Sequence, residues 1–95
     1  MKTQTTINTL KFLVNRLNEL TQSPLEPYTQ NEAGRMKANI GNHHLSQAYG
    51  GVCVHRMAND GGGVTTPIWH CHIPKKDAES QLRAYIRGIE LVKES

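Results

Sequence analysis

The sequence has few of the residues that cross-link a small protein or anchor it in a membrane. Among its 95 residues are two cysteines, one tryptophan, three tyrosines and one phenylalanine. Cys53 and Cys71 are too few for a disulfide framework, and without a recognisable secretory signal we expect both to be reduced thiols. No apolar run approaches the roughly 20 residues of a membrane span. We therefore expect a cytoplasmic protein that does not enter a membrane.

Concentrated charge is also missing. The net charge is +3, and the eleven lysines and arginines are scattered, with the densest pair at Lys75 and Lys76. A nucleic-acid binder favours a basic face with interleaved aromatics, so nucleic acid is only a third alternative here. We expect a single domain over residues 1–95, with flexible ends at 1–5 and 93–95. A chain this short buries only about 60–65% of its unfolded surface, which favours a homodimer.

Helical periodicity occurs near both ends of the chain. An apolar stripe with spacings of three and four predicts a helix over about residues 6–22, capped by Thr5 or Thr6 and stopped by Pro24; it comprises Ile7, Leu10, Val14 and Leu17. A second stripe follows Pro74, a residue that suits a first helical turn. The second stripe comprises Ala78, Leu82, Tyr85, Ile89 and Val92. Gly88 within it allows another backbone to approach closely.

Strand patterns fill the middle of the chain. Residues 25–30 and 35–41 read as two short strands around a turn at Asn31 and Gly34. In "HHLSQAYGGVCVHRM" (43–57), Gly50-Gly51 reads as a two-residue hairpin loop with Tyr49 opposite Val52. Alternation predicts that Leu45, Gln47, Tyr49, Val52 and Val54 share the face that meets the helices. A loose turn and a short strand "VTTPIW" follow. The predicted fold is α+β and two-layered: an N-terminal helix, a three- or four-stranded antiparallel β meander and a C-terminal helix.

Zinc is the most specific chemical alternative. Zinc takes four nitrogen or sulfur ligands, and the candidate side chains fall in two segments; they are His43, His44, Cys53, His55, His70, Cys71 and His72. The spacing has neither C-x-x-C nor a helical H-x₃₋₅-H. Our first expectation is therefore no cofactor, with zinc on His44, His55, His70 and His72 as the alternative, either in a zinc-stabilised module or in a metal-dependent enzyme.

Nucleophilic catalysis is not indicated by the pattern. Cys53 and His55 are alternate residues of one strand, about 7 Å apart, which is too far for a direct hydrogen bond. Strand geometry turns Cys71 away from its two neighbouring histidines. We therefore expect that the protein is not an enzyme.

The glycine turns offer a binding surface instead. Gly61, Gly62 and Gly63 match no phosphate-loop pattern, but backbone N–H groups freed by glycine can form an anion nest, with Arg56 and Asn59 near in sequence. Tyr49 beside Gly50-Gly51 offers an aromatic face. The alternative interpretation is that these are turns only, with Tyr49 and Val52 forming a core pair.

Three segments together resemble a group of small accessory proteins of tailed bacteriophages and prophages that has no assigned activity. The segments are "TLKFLVNRLNELTQSP", "NIGNHHLSQAYGGVCVHRMANDGGGV" and "IPKKDAESQLRAYIRGIE". The pattern N-x-G…AYGG…N-x-GGG is the most specific mark. The resemblance carries no catalytic residues. It implies an accessory role in the bacterial cytoplasm, and such proteins act by stoichiometric binding, as in host takeover or anti-defence.

The sequence thus favours a non-enzymatic phage accessory protein. It would bind a host or defence protein, or a small anionic, nucleotide-like ligand. The residues expected to bind are Tyr49, Gly50, Gly51, Arg56, Asn59, Gly61 and Gly62.

Overall fold

The computed structural model describes residues 5–94 and shows a helix, five antiparallel strands and a second helix. The elements are α1 (Ile7–Leu20), β1 (Tyr28–Gln30), β2 (Met36–Ala38), β3 (His43–Ala48), β4 (Gly51–Met57), β5 (Val64–Thr65) and α2 (Lys75–Glu94). The predicted α+β class is confirmed. No helix in residues 5–94 is long and apolar enough to cross a membrane.

Helix α1 forms where the stripe predicted it. Thr6 is the N-cap, and its hydroxyl oxygen accepts the N–H of Thr9 at 3.2 Å. The helix ends at Leu20, two residues before the predicted end, and the Thr21 hydroxyl donates to the Leu17 carbonyl. The apolar face is buried as predicted, but Asn18 is buried with it.

Helix α2 begins after Pro74, as predicted, but its buried stripe differs from the predicted one. Ala78, Leu82 and Ile86 are buried and Ile89 is partly buried. Tyr85 is 38% exposed and Val92 is 74% exposed, so the prediction was wrong for these two of the five stripe positions. A helix with 3.6 residues per turn follows 78, 82, 86 and 89 along one line, while 85 and 92 lie to its side.

The two helices lie side by side and run parallel. The Thr5 hydroxyl bonds the Glu79 carboxylate, and Arg16 meets Glu90 at 3.3 Å, both across 74 positions. A constant separation of this kind is the mark of parallel elements. These contacts also bear on the predicted flexible ends. Thr5 is bonded and α2 continues to Glu94, while residues 1–4 and 95 lie outside the described residues.

The strands divide into two sheets. β3, β4 and β5 form the antiparallel meander, in that order, whereas β1 and β2 form a separate hairpin. The turn between β1 and β2 uses the predicted residues: Asn31 Oδ1 accepts the Arg35 N–H at 2.9 Å, and Gly34 has φ = +82°. The prediction of one meander therefore holds for three strands only.

The register of β3 and β4 corrects the predicted loop. Ala48 pairs with Gly51, so the two-residue loop is Tyr49-Gly50 and not Gly50-Gly51. Gly51 is in the strand, where an added Cβ would lie 2.7 Å from the Ile73 carbonyl oxygen. Glycine is needed there for close approach rather than for turning the chain.

The shift of two positions keeps Leu45, Val52 and Val54 on the face that meets the helices. Gln47 and Tyr49 were predicted there too, but both are exposed and Tyr49 lies in the loop, so that part of the prediction was wrong.

The core lies between the two helices and the inner face of the meander. Val52 and Val54 pack with the leucines of α1 and with Leu82, as predicted. Cys53, on the other face, is also buried, because the chain after β5 covers it and its thiol faces the Trp69 carbonyl at 3.5 Å. Ile73, in the same stretch, pairs with Val52 in an antiparallel bridge.

Candidate functional site

The face of the meander turned away from the helices carries four rings in contact, which we call the ring row: His44, His55, His72 and Tyr49. His44 and His55 are 5.7 Å apart between ring centroids, His55 and His72 are 6.3 Å apart, and Tyr49 and His72 are 5.9 Å apart. All three contacts are edge-to-face, the favoured geometry for aromatic pairs. The row runs from near the base of the hairpin, at His44 and His55, to its tip at Tyr49.

Hydrogen bonds fix the orientation of the row. His44 Nδ1 lies 3.2 Å from Asn42 Oδ1, and Asn42 Nδ2 donates to the Pro24 carbonyl at 2.7 Å. Because Asn42 Oδ1 can only accept, the proton of neutral His44 is on Nδ1 and its Nε2 is an open acceptor. His72 Nε2 lies 3.0 Å from Ser46 Oγ. The row is therefore held in one arrangement by neighbouring polar side chains.

Burial and crowding favour the neutral form of His44 and His55. Desolvation, followed by the neighbouring His55, lowers the pKa of His44 below its usual value. Desolvation, followed by His72, lowers the pKa of His55 in the same way. Both effects disfavour a charged imidazolium. At neutral pH, His44 and His55 are therefore uncharged rings with polar edges.

Tyr49 is the most exposed member of the row. Its relative exposure is 98%, and it occupies the first position of the loop with φ = +54°, followed by Gly50 at +74°. Two positive φ values are typical of a type I′ hairpin turn, which prefers Asn or Gly at both positions. A bulky residue in the left-handed region costs roughly 1–2 kcal/mol. Tyr49 thus combines conformational strain with nearly complete exposure.

The opposite end of the hairpin is closed by a residue that sequence reasoning missed. Asn18 accepts the N–H of His43 at 2.8 Å and its ring Nδ1 at 3.0 Å, and donates to the His43 carbonyl at 2.9 Å. Both side chains are buried. Burial, then electrostatic interaction with Arg56 and His44, lowers the pKa of His43 to about 4. The available signal was a lone Asn beside the apolar stripe of α1.

Gly51 and Arg56 do not join Tyr49 in one site. Gly51 is buried against Ile73, and its role is structural. Arg56 pairs with His43, six strand positions from the turn, which is about 20 Å at ordinary strand rise. Its guanidinium lies near Gly41 instead.

The backbone N–H groups of the loop after β4 are hydrogen-bonded within the loop itself. Asn59 Oδ1 accepts the N–H groups of Gly61 and Gly63, both at 3.0 Å, and the Asn59 carbonyl accepts that of Gly62 at 3.2 Å. An anion nest needs free N–H groups, and these three are occupied. Gly62 packs against Tyr28, so the loop holds the β1–β2 hairpin in place.

The structure brings together three of the four alternative zinc ligands. His44, His55 and His72 are in the row, whereas His70 Nδ1 lies 3.0 Å from Thr66 Oγ1 outside it. Among residues 5–94, no group of three or more His, Cys, Asp or Glu side chains has a geometry that could hold a metal ion.

His72 of the row forms a serine–histidine pair with Ser46, which the sequence did not reveal. Ser46 Oγ lies 3.0 Å from His72 Nε2, the contact that a histidine base makes with a serine nucleophile. Such a pair needs a third group that orients the histidine, and no acidic side chain of residues 5–94 bonds it. Cys53 is no better as a nucleophile, because burial raises the pKa of its thiol.

The comparisons with known proteins found no match among family models, curated proteins or solved structures.

Proposed function

We propose that the protein is a non-enzymatic accessory protein of a phage or prophage that binds a host or defence protein through the ring row. The exposed, strained Tyr49 at the tip of the hairpin is the observation that carries the proposal. Strained residues persist where the surrounding structure holds them, and they cluster at functional sites. An aromatic side chain that contributes no buried area to the fold is available to a partner.

The chemistry of the row suits a protein partner. Tyrosine is enriched at protein interfaces because it offers a large rigid ring with a polar tip, and it recurs among the residues that dominate binding energy. The histidines of the row add flat rings with hydrogen-bonding edges. Nucleic acid suits the molecule less well, since helix cations Arg16, Arg83 and Arg87 are paired with glutamates. A small anionic ligand lacks the loop donors that the sequence suggested for it.

Zinc is the second candidate, because three predicted ligands are neighbours in the row, although a bound ion would require their side chains to converge further than they do here. A structural zinc would add binding free energy to folding, so a chelator would lower the melting temperature. An unchanged melting temperature after chelation, together with a metal-free mass by native mass spectrometry, would remove this candidate.

The proposal is tested by photo-crosslinking in bacterial cells. A photoreactive phenylalanine analogue replaces Tyr49 in one variant and Tyr28, which is 44% exposed on the other hairpin, in a matched control. We expect a discrete crosslinked partner from position 49 and none from position 28. Equal products from both positions, or none from position 49, would contradict the proposal.

The homodimer expected from chain length has its own candidate surface. Tyr85, Gly88, Ile89 and Val92 line an uncovered groove of about 460 Å³ on α2, where nothing lies within 4 Å of the Gly88 Cβ position. Sedimentation of the wild type and a Val92→Lys variant tests it. A dimer that dissociates in the variant would support this surface, and a monomer at all concentrations would contradict it.

A further inference from the structure

Among residues 5–94, no backbone group pairs with the outward N–H and carbonyl groups of Leu45 and Gln47 on the outer edge of β3. β3 pairs only with β4 in its sheet, so its other side is an edge. His43 points its N–H and carbonyl away from β4, because both bond the Asn18 side chain. Alternate residues of a strand point the same way, so Leu45 and Gln47 also point outward.

The opposite strand confirms this orientation independently. Val52 lies directly across from Gln47, yet its N–H and carbonyl bond Ile73 at 2.8 and 2.9 Å, on the far side of β4. Val52 and Gln47 therefore form a non-hydrogen-bonded pair, whose backbone groups point away from each other. The edge of β3 thus offers two N–H groups and two carbonyls.

At His43, the outward backbone groups of this edge are hydrogen-bonded by the side chain of Asn18. Its side-chain amide donates to the carbonyl of His43 and accepts from its N–H, as a residue of a neighbouring strand would. Asn18 bonds the backbone of this one residue of β3 only. The next two outward positions, Leu45 and Gln47, continue the same line of donors and acceptors.

A groove of about 410 Å³ lies along these positions. Its walls come from α1, through Lys11, Val14 and Asn15, and from the chain before β1, through Leu25 and Pro27. The strand edge forms its floor. The groove thus joins main-chain donors and acceptors to a helix wall, which is the arrangement that accepts an extended peptide as an added strand.

We propose that this groove binds one extended segment of a partner protein as an additional antiparallel or parallel strand beside β3. Exposed edges are commonly protected by lysine, proline or a bulge, and the sequence of β3, HHLSQA, has neither lysine nor proline. A second folded copy fits less well, because each copy would bring its own α1 to the same edge. This proposal does not depend on binding at the ring row.

Charge and shape indicate the kind of segment. Val14, Leu25 and Leu45 supply an apolar lining. The wall carries one carboxylate, Glu26, and one cation, Lys11, which has no ion pair among the described residues. A segment with an apolar side chain, and an acidic side chain placed to reach Lys11, would match both. Backbone pairing would supply affinity and these two contacts would supply selectivity.

The probe is a displayed library of random seven-residue peptides, selected on the intact protein. The best peptide is then measured against Gln47→Pro, which removes the outward N–H without breaking a bond to β4, and against Gln47→Ala, which keeps it. We expect a loss of roughly tenfold or more for Gln47→Pro and little change for Gln47→Ala. Lys11→Glu should weaken peptides that carry the acidic residue.

A second measurement keeps the test decisive if Gln47→Pro does not fold. N-methyl groups are placed along the peptide, one residue at a time. In an added strand only alternate residues face β3, so methylation should abolish binding at every second position and spare the others. Uniform tolerance of methylation, absence of any selected peptide, or a concentration-dependent dimer that Gln47→Pro abolishes would overturn the proposal.

Discussion

The two ends of the β3–β4 hairpin are built in opposite ways. At the base, His43 is 5% exposed and is bonded through its backbone and ring to Asn18. At the tip, Tyr49 is 98% exposed and its backbone is in a conformation that suits glycine or asparagine better. The base contributes to stability, whereas the tip costs stability and offers a surface.

The difference separates two roles that the sequence does not distinguish. Both ends carry a ring beside polar residues and glycine within one fifteen-residue stretch. Only the bonding partners show that one ring is used by the fold and the other is free for binding. Substitutions along the hairpin should therefore change stability most at the base and binding most at the tip.

The largest effect is expected from Asn18→Ala. The substitution leaves a buried N–H and a buried carbonyl of His43 without partners, and each such group costs about 1–3 kcal/mol. We expect the free energy of unfolding in urea to fall by about 4 kcal/mol. The matched control is Asn15→Ala, an exposed position of the same helix, which should change stability by less than about 0.5 kcal/mol. Equal effects would show that Asn18 does not anchor the base.

Acidification should lower the free energy of unfolding nearly as much, through His43 at the base of the hairpin. The pKa of His43 is about 4 in the folded protein and 6.5 in the unfolded chain. As the pH falls below 6.5, the unfolded chain binds a proton that the folded protein does not, so stability decreases until about pH 4. A shift of this size corresponds to about 3 kcal/mol at most.

The pH effect is measured as the free energy of unfolding between pH 7 and pH 4. His43→Gln should make that dependence shallower, while His70→Gln, an exposed histidine outside the row, should leave it unchanged. The pKa values of His44 and His55 are lowered as well, so these two residues account for the pH dependence of stability that remains in His43→Gln. An identical slope in wild type and His43→Gln would contradict the burial of a neutral His43.

Gly51→Ala should have the next largest effect. The new Cβ would meet the backbone of Ile73 at 2.7 Å and disturb its bridge with Val52. We expect a loss of about 2 kcal/mol from this overpacking. Gly50→Ala is the control, because nothing lies within 4 Å and only its φ of +74° is unfavourable, at about 1 kcal/mol. A smaller loss at Gly51 than at Gly50 would contradict the register.

Much of the fold could be predicted, because periodicity and turn chemistry are local. Neighbouring residues in sequence determine where the helices begin, after Thr6 and after Pro74. They also determine the Asn31–Gly34 turn and the inward positions of Val52 and Val54. The loop position could not be predicted, since the need for Gly51 comes from Ile73, more than twenty residues later. For the same reason, the residue that covers Cys53 could not be predicted, since Trp69 lies sixteen residues later in the chain.

The candidate site was predicted in part. Tyr49 is predicted at a binding surface, and the structure exposes it. His44, His55 and His72 are predicted as alternative zinc ligands, and the structure joins them to Tyr49 in the ring row. The Gly61–Gly63 loop could not be judged from sequence. Whether its N–H groups are free depends on where Asn59 Oδ1 points.

The smallest effect tests the central claim most directly, which is that Tyr49 is retained for binding at a cost to folding. Tyr49→Asn creates the Asn-Gly pair that a type I′ turn prefers. The measurement is urea unfolding of both proteins, with retention of the crosslinked partner as the binding readout. We predict that the variant is more stable by about 0.5–1 kcal/mol and no longer retains the partner. A less stable variant that still retains the partner would contradict the account.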